Sequence, residues 1–155
     1  MAEGEMHKKL KDFGMIWLRD KMIDLVSKEV DYYNINSIAD VVGINFKRKE
    51  VRIIECKASR EDYFRDKKLM DLEKSYYMHC QYFYILCPEN ILESKDVPKE
   101  YGLLWLTSDN KIVVKRNPTK YKGKLKTLIT TSTKRCTRSL TNQMVYKNII
   151  PKYKK

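Results

Sequence analysis

Three residues in the first third of the chain have the types and spacing to do chemistry together. Asp40 opens one apolar run, Val41-Val42-Gly43-Ile44-Asn45-Phe46, and a charged turn, Lys47-Arg48-Lys49-Glu50, follows it. A second run, Val51-Arg52-Ile53-Ile54, ends in Glu55-Cys56-Lys57. Two β-branched runs joined by a polar turn predict a hairpin. Alternate residues of a strand point to one face, so Glu55 and Lys57 share a face and Cys56 takes the other. The hairpin length brings Asp40 near Glu55 on the neighbouring strand. Two carboxylates set side by side repel, so one must hold a proton or both must hold a cation. Oxygen donors favour Mg²⁺ or Mn²⁺ over zinc. Beside them, a lysine would orient an attacking water or neutralise a phosphate, which is the chemistry of metal-assisted phosphodiester hydrolysis. The plain alternative is a surface ion pair between Glu55 and Lys57, since Glu-x-Lys alone is common.

The same residues carry a resemblance. Asp-(x)n-Glu-x-Lys on a hairpin followed by a helix resembles the core pattern of the PD-(D/E)XK nuclease superfamily. The stretch from Ile54 to Lys68, IECKASREDYFRDKK, is similar to the signature of the MmcB-like DNA repair proteins, E-x-K-x-S followed by D-[FY]-x-x-D-x-K. The likeness runs from about Ile38 to Arg116. It departs from the family at Leu69, where a Trp is usual, and at Ser37-Ile38-Ala39, where many members have Gly-Arg-Arg-Ala. The resemblance implies a restriction-endonuclease-like α/β fold with Asp40, Glu55 and Lys57 as catalytic residues. It implies Mg²⁺ (or Mn²⁺) held by Asp40, Glu55 and the Cys56 backbone carbonyl. In that superfamily an acid on the first helix often completes the metal site, and Glu5 holds that position here.

These residues need elements to position them. A helix over residues 5–28 follows from Met6, Leu10, Phe13, Trp17 and Leu18 at helical spacing, with His7 at its surface. A short strand covers 29–36, from which Glu29 could face the site. Ser59 with Asp62 three residues on predicts the start of a helix at about Arg60, running to about Met78. Its first turns carry Arg60, Arg65, Lys67 and Lys68, which either reach phosphates or pair with Glu61, Asp62, Asp66 and Asp71. Tyr82 to Cys87 suits a strand buried on both faces. Val97-Pro98 bars a long helix from the segment 89–101, and strands follow at 102–107 and 112–114.

The 155 residues fit one domain with a real core. No run is long enough to span a membrane, and the first residues do not read as a signal peptide. The 4 cysteines form no Cys-x-x-Cys pair, which argues against zinc. Cys56 and Cys87 lie in apolar runs, as buried thiols of a reducing cytoplasm would.

The net charge of +12 is unevenly placed. From Lys115 onward there are 13 bases and no acid, leaving 19 bases against all 20 acids elsewhere. A polyanion is the natural partner of such a segment. Leu125, Leu128, Ile129, Ser132, Cys136, Leu140 and Met144 recur at helical spacing, predicting a basic helix over about 123–147. Lys134, Arg135 and Arg138 lie mainly off that stripe, facing outward toward nucleic acid. The chain thus divides into a nuclease-like core, 1–116, and a basic helical extension, 117–155, packed on it.

The expected protein is α/β, with a mixed central sheet flanked by helices and a basic C-terminal helix. The expected function is a cytoplasmic, Mg²⁺-dependent endodeoxyribonuclease of DNA repair, DNA processing or phage DNA metabolism, with DNA as partner and no membrane. A homodimer would set two sites on two strands, whereas a monomer would nick. Two other classes remain: a DNA-binding protein of the same fold that does not cut, and a viral regulatory protein whose basic helix binds an acidic partner.

Overall fold

The computed structural model describes residues 4–21, 24–32, 37–126 and 129–143. It is α/β, as expected, with a six-stranded mixed sheet in the order β1-β2-β3-β4-β5-β6. The elements run α1 (Glu5–Asp20), β1 (Leu25–Tyr32), β2 (Ser37–Asn45), β3 (Glu50–Cys56), α2 (Arg60–Arg65), β4 (Tyr82–Pro88), β5 (Gly102–Leu106), β6 (Ile112–Arg116) and α3 (Ile129–Thr141). β1, β2 and β3 form an antiparallel meander, β3, β4 and β5 are parallel, and β6 returns antiparallel. Parallel neighbours need a crossover, and α2 with two 3₁₀ turns supplies the one between β3 and β4.

Each face of the sheet has its own core. Under α1, Leu10 and Leu18 pack with Val41, Ile54, Cys56, Leu86 and Leu104. The opposite face, beneath α2, the 3₁₀ turns and α3, gathers Val42, Ile44, Ile53, Tyr63, Phe83, Tyr101 and Cys136. Burying each of these larger side chains contributes about 1.5–3 kcal/mol. β4 is shielded on both faces, so its run Phe83 to Cys87 is wholly buried, as its unbroken apolar sequence predicts. All four cysteines are buried and free.

Three elements differ from the sequence expectation, each through a distant partner. The first helix stops at Asp20 rather than continuing to residue 28, because Leu25 to Lys28 pair with Ile44 to Val41 and extend β1 forward. The second helix stops at Arg65 instead of running to Met78. Asp66 leaves helical geometry (φ −86°, ψ 84°), and its carboxylate is drawn to Lys57. The chain then continues as 3₁₀ turns at Lys67–Met70 and Tyr76–His79, the latter capped by Ser75. The basic helix begins at Ile129, not at 123. Before it the chain lies along the body, with Thr119, Tyr121 and Lys126 donating backbone N–H groups to Glu100, Gln81 and Met78. Residues 144–155, including Met144 of the predicted stripe, lie outside the described residues. The described part of the extension joins the main core through Cys136.

Gly14 lets α1 lie flat on the sheet. A Cβ there would sit 3.3 Å from Leu86 and 3.5 Å from Val41. Gly14→Leu should therefore destabilise the fold by about 1–3 kcal/mol through overpacking, read as a lower urea midpoint with an unchanged slope.

Candidate active site at the end of the β2–β3 hairpin

The pairing Val41↔Ile54 fixes the hairpin register. One step further along that register, Asp40 faces Glu55. Their carboxyl groups are near enough to shift each other's protonation. Asp40 Oδ2 also accepts from the Cys56 backbone N–H at 2.8 Å, and His7 Nε2 lies 3.4 Å from the same oxygen. Glu55 is buried, and its Oε1 has no hydrogen-bond partner. Lys57 is also buried, with its Nζ 3.1 Å from Asp66 Oδ2.

These contacts set the charge states. Burial and the neighbouring Asp40 charge push Glu55 well above the usual carboxylate range. Burial pushes Asp40 the same way, but hydrogen bonds from His7, Glu55 and the Cys56 N–H outweigh it and hold Asp40 below its ordinary value. Glu55 is therefore the member of the pair that takes up a proton first, and Asp40 the one that stays ionised. Burial opposes the charge on Lys57, yet the charge Glu55 carries when ionised, together with the Asp66 carboxylate and its hydrogen bond, outweighs it and raises the lysine pKa, so the amine stays charged.

A cavity of about 410 Å³ opens here, lined by Gly4, Met6, His7, Asp40, Glu55, Cys56, Lys57, Ala58 and Asp62. The Cys56 thiol is packed under α1, so Cys56 offers this cavity its backbone. His7, expected at the surface, is half-buried and is the α1 residue that reaches Asp40. Glu5 is exposed and does not line the cavity. Among the described residues, no three His, Cys, Asp or Glu side chains form a group able to hold a metal ion. Mg²⁺ does not require one: it is commonly bound by one or two carboxylates, with waters and substrate phosphate completing its shell. Asp40 and the unpartnered Glu55 oxygen fit that donor set.

A second cleft, of about 440 Å³, adjoins the first and shares His7 and Asp40 with it. Its floor includes Glu29, which lies opposite Asp40 at φ 56° and interrupts the β1–β2 ladder there. Glu29 is held by the buried Lys11 at 3.0 Å. The backbone carbonyls of Lys28 and Glu29 accept from Ser139 Oγ, and Lys28 also accepts from Gln143 Nε2. α3 is thereby tied to the strand that faces Asp40. Arg135 and Arg138 line this cleft.

The other basic residues are dispersed. Lys134 and Arg138 are exposed, whereas Arg135 is half-buried with its guanidinium 5.1 Å from the Tyr32 ring centre. Arg60 is exposed, pairs with Asp96 and lies over Phe64. Arg65, Lys67 and Lys68 do not line the carboxylate cavity. Neither Asp66 nor Lys11 stands out by residue type. Asp66 does close the D-[FY]-x-x-D pattern that begins at Asp62, and that spacing was the available signal for its role.

No family model and no curated protein matches the chain. Among solved structures, a protein of unknown function from Silicibacter pomeroyi has the same fold. Its TM-score is 0.72 at 21% sequence identity, over 95% of this chain and 97% of that one. At that identity the likeness concerns the fold alone.

The carboxyl pair makes stability depend on pH. The ordinary value of Glu55 is 4.5, and its folded value lies well above that. Between the two, the folded state keeps a proton that the unfolded chain has lost, so Glu55 makes stability fall as pH rises. Asp40 acts oppositely: its stabilisation is present above its ordinary 3.8 and is lost only as pH falls through its lowered folded value. In EDTA, Glu55→Gln should therefore show a smaller drop in melting temperature than wild type as pH rises above 4.5. Parallel curves for the two proteins would contradict the assignment of the proton to Glu55.

Proposed function

We propose that the protein is a divalent-metal-dependent DNA nuclease, acting in DNA repair or processing or in phage DNA metabolism. The observation that carries this reading is the buried Glu55 Oε1, left without a partner beside the ionised Asp40. Such an atom costs about 1–3 kcal/mol unless something binds it. The nearby ammonium does not serve, because Lys57 is turned to Asp66. Mg²⁺ at the carboxylates would polarise a phosphate oxygen and lower the pKa of a bound water. Lys57 then sits where it can donate to that water or to a non-bridging phosphate oxygen. Asp66 fixes the amine, so little side-chain freedom remains to be lost when substrate arrives. In-line attack breaks the phosphorus–oxygen bond, and the leaving oxygen takes up a proton. His7, in contact with Asp40, orients that carboxylate and closes the α1 side of the cavity.

The basic C-terminal segment supports DNA as the polyanion. The threonines of α3 bond back along one face, Thr133 to Ile129, Thr137 to Thr133 and Thr141 to Thr137, leaving Lys134 and Arg138 exposed beside them. Duplex binding should show a log–log salt slope of roughly −4 to −7. Lys134→Glu should make that slope shallower by about 0.9 for each phosphate no longer neutralised. Arg135 is unsuitable for this test because it lies over Tyr32 in the folded protein.

The deciding experiment incubates the protein with labelled DNA of several structures in Mg²⁺, in Mn²⁺ and in EDTA. Cleavage should require the metal. Lys57→Ala should lower the rate by at least about 10²-fold while metal-induced thermal stabilisation survives, and Asp40→Asn should lose both. Metal-independent cleavage, or full activity in Lys57→Ala, would refute the mechanism. Salt-sensitive binding without cleavage would make the protein a DNA-binding member of the same fold.

A further inference from the structure

The second cleft bears on which form of DNA reaches the carboxylates. It abuts the first cavity at His7 and Asp40, so a strand lying across the carboxylates must enter it. At about 440 Å³ it sits near the lower end of the range for small-ligand pockets, roughly 300–1,000 Å³. The lining is mixed in a telling way. Arg135 and Arg138 come from α3, amides from Asn142 and Gln143, an aliphatic side chain from Ile38, and carboxylates from Asp31, Asp40 and Glu29, the last paired with Lys11. Ile38 is 57% exposed, one of the most open large apolar residues described. On the other side of His7, Met6 is 39% exposed and lines the first cavity. An apolar group therefore flanks the carboxylates on each side, with guanidinium groups beyond Ile38.

A duplex cannot use such groups. Its bases show only their edges in the grooves, and their faces are stacked on one another. Unpaired strands are bound by basic groups along the backbone and by side chains that meet base faces, most strongly aromatic rings; here the exposed aliphatic Ile38 offers a smaller apolar surface of that kind. Glu55 and Lys57 are also recessed, at 7% and 9% exposure, between the N-terminal end of α1 and the start of α2. A single strand can follow such a recess, whereas a rigid duplex must be opened first.

We propose that this cleft holds an unpaired nucleotide next to the scissile phosphate, so that the substrate strand is bound single-stranded. Ile38 packs against the base, and Arg138 and Arg135 hold its phosphate. The inference takes the position of the scissile phosphate from the nuclease reading, but the binding it predicts does not depend on cleavage.

The test measures binding in EDTA by fluorescence anisotropy, using a labelled twelve-nucleotide single strand and the duplex of the same sequence. Ile38→Ala should weaken single-strand binding by about threefold, less than the loss of an aromatic platform would, and leave duplex binding unchanged. Arg138→Ala should also weaken the single strand more than the duplex. Ile16→Ala, on the outer side of α1 at 55% exposure, is the matched control and should change neither. Unchanged melting temperatures would show that the variants fold. Equal losses on both forms, no loss in Ile38→Ala, or wild type that binds no single strand would each overturn the proposal. Cleavage in Mg²⁺ is scored separately. Strand-selective losses without cutting would leave the cleft assigned and the nuclease reading refuted. Cutting with equal losses would do the reverse.

Discussion

Two carboxyl groups cannot both be charged when a hairpin register holds them face to face away from water. Asp40 and Glu55 are under that constraint, with the proton affinity raised on Glu55 and lowered on Asp40, and much of the surrounding structure follows from it. The Cys56 N–H and His7 stabilise the member that stays ionised. Lys57 neutralises the neighbourhood without pairing directly with Glu55, because Asp66 holds its amine. The cost of that arrangement is met by the two apolar clusters on either side of the hairpin, which make β2 and β3 the most enclosed strands near the site.

The same strand pair organises the charge asymmetry. β1 lies against β2, and its irregularity at Glu29 falls opposite Asp40. The backbone groups exposed by that irregularity are taken by Ser139 and Gln143 of the C-terminal segment. A basic helix whose threonines make it a poor helix former is thus docked by polar bonds to a defined point of the sheet. Its guanidinium groups come to lie beside the carboxylates instead of trailing in solvent.

The hairpin was legible in the sequence because strand periodicity is short and local: once the turn is placed, parity alone assigns Asp40, Glu55 and Lys57 to one face. The buried thiols of Cys56 and Cys87 and the doubly covered β4 were legible for a similar reason. His7 was not, because no local pattern fixes how a helix is rotated and slid over a sheet. Asp66 was read as part of a continuing helix, since the force that ends that helix is an ion pair to a residue nine positions upstream. The late start of α3 has the same kind of origin in backbone bonds to Gln81 and Met78. Arg135 looked solvent-facing by helical phase, but Tyr32 of a distant strand offers its ring. Long-range partners decided each of these, and a single sequence does not display them.

The blocking of β1 by Ser139 and Gln143 has a further geometric consequence. Those two residues occupy main-chain acceptors on one edge of the sheet, which leaves β6 at the other edge for strand-to-strand association. β6 is three places from β3 in the sheet order. Two copies joined there would hold their Glu55 residues seven strand spacings apart, roughly 34 Å at about 4.8 Å per spacing. A pair built on this edge would be one continuous sheet of twelve strands, with its two carboxylate pairs too far apart to act on a single phosphate.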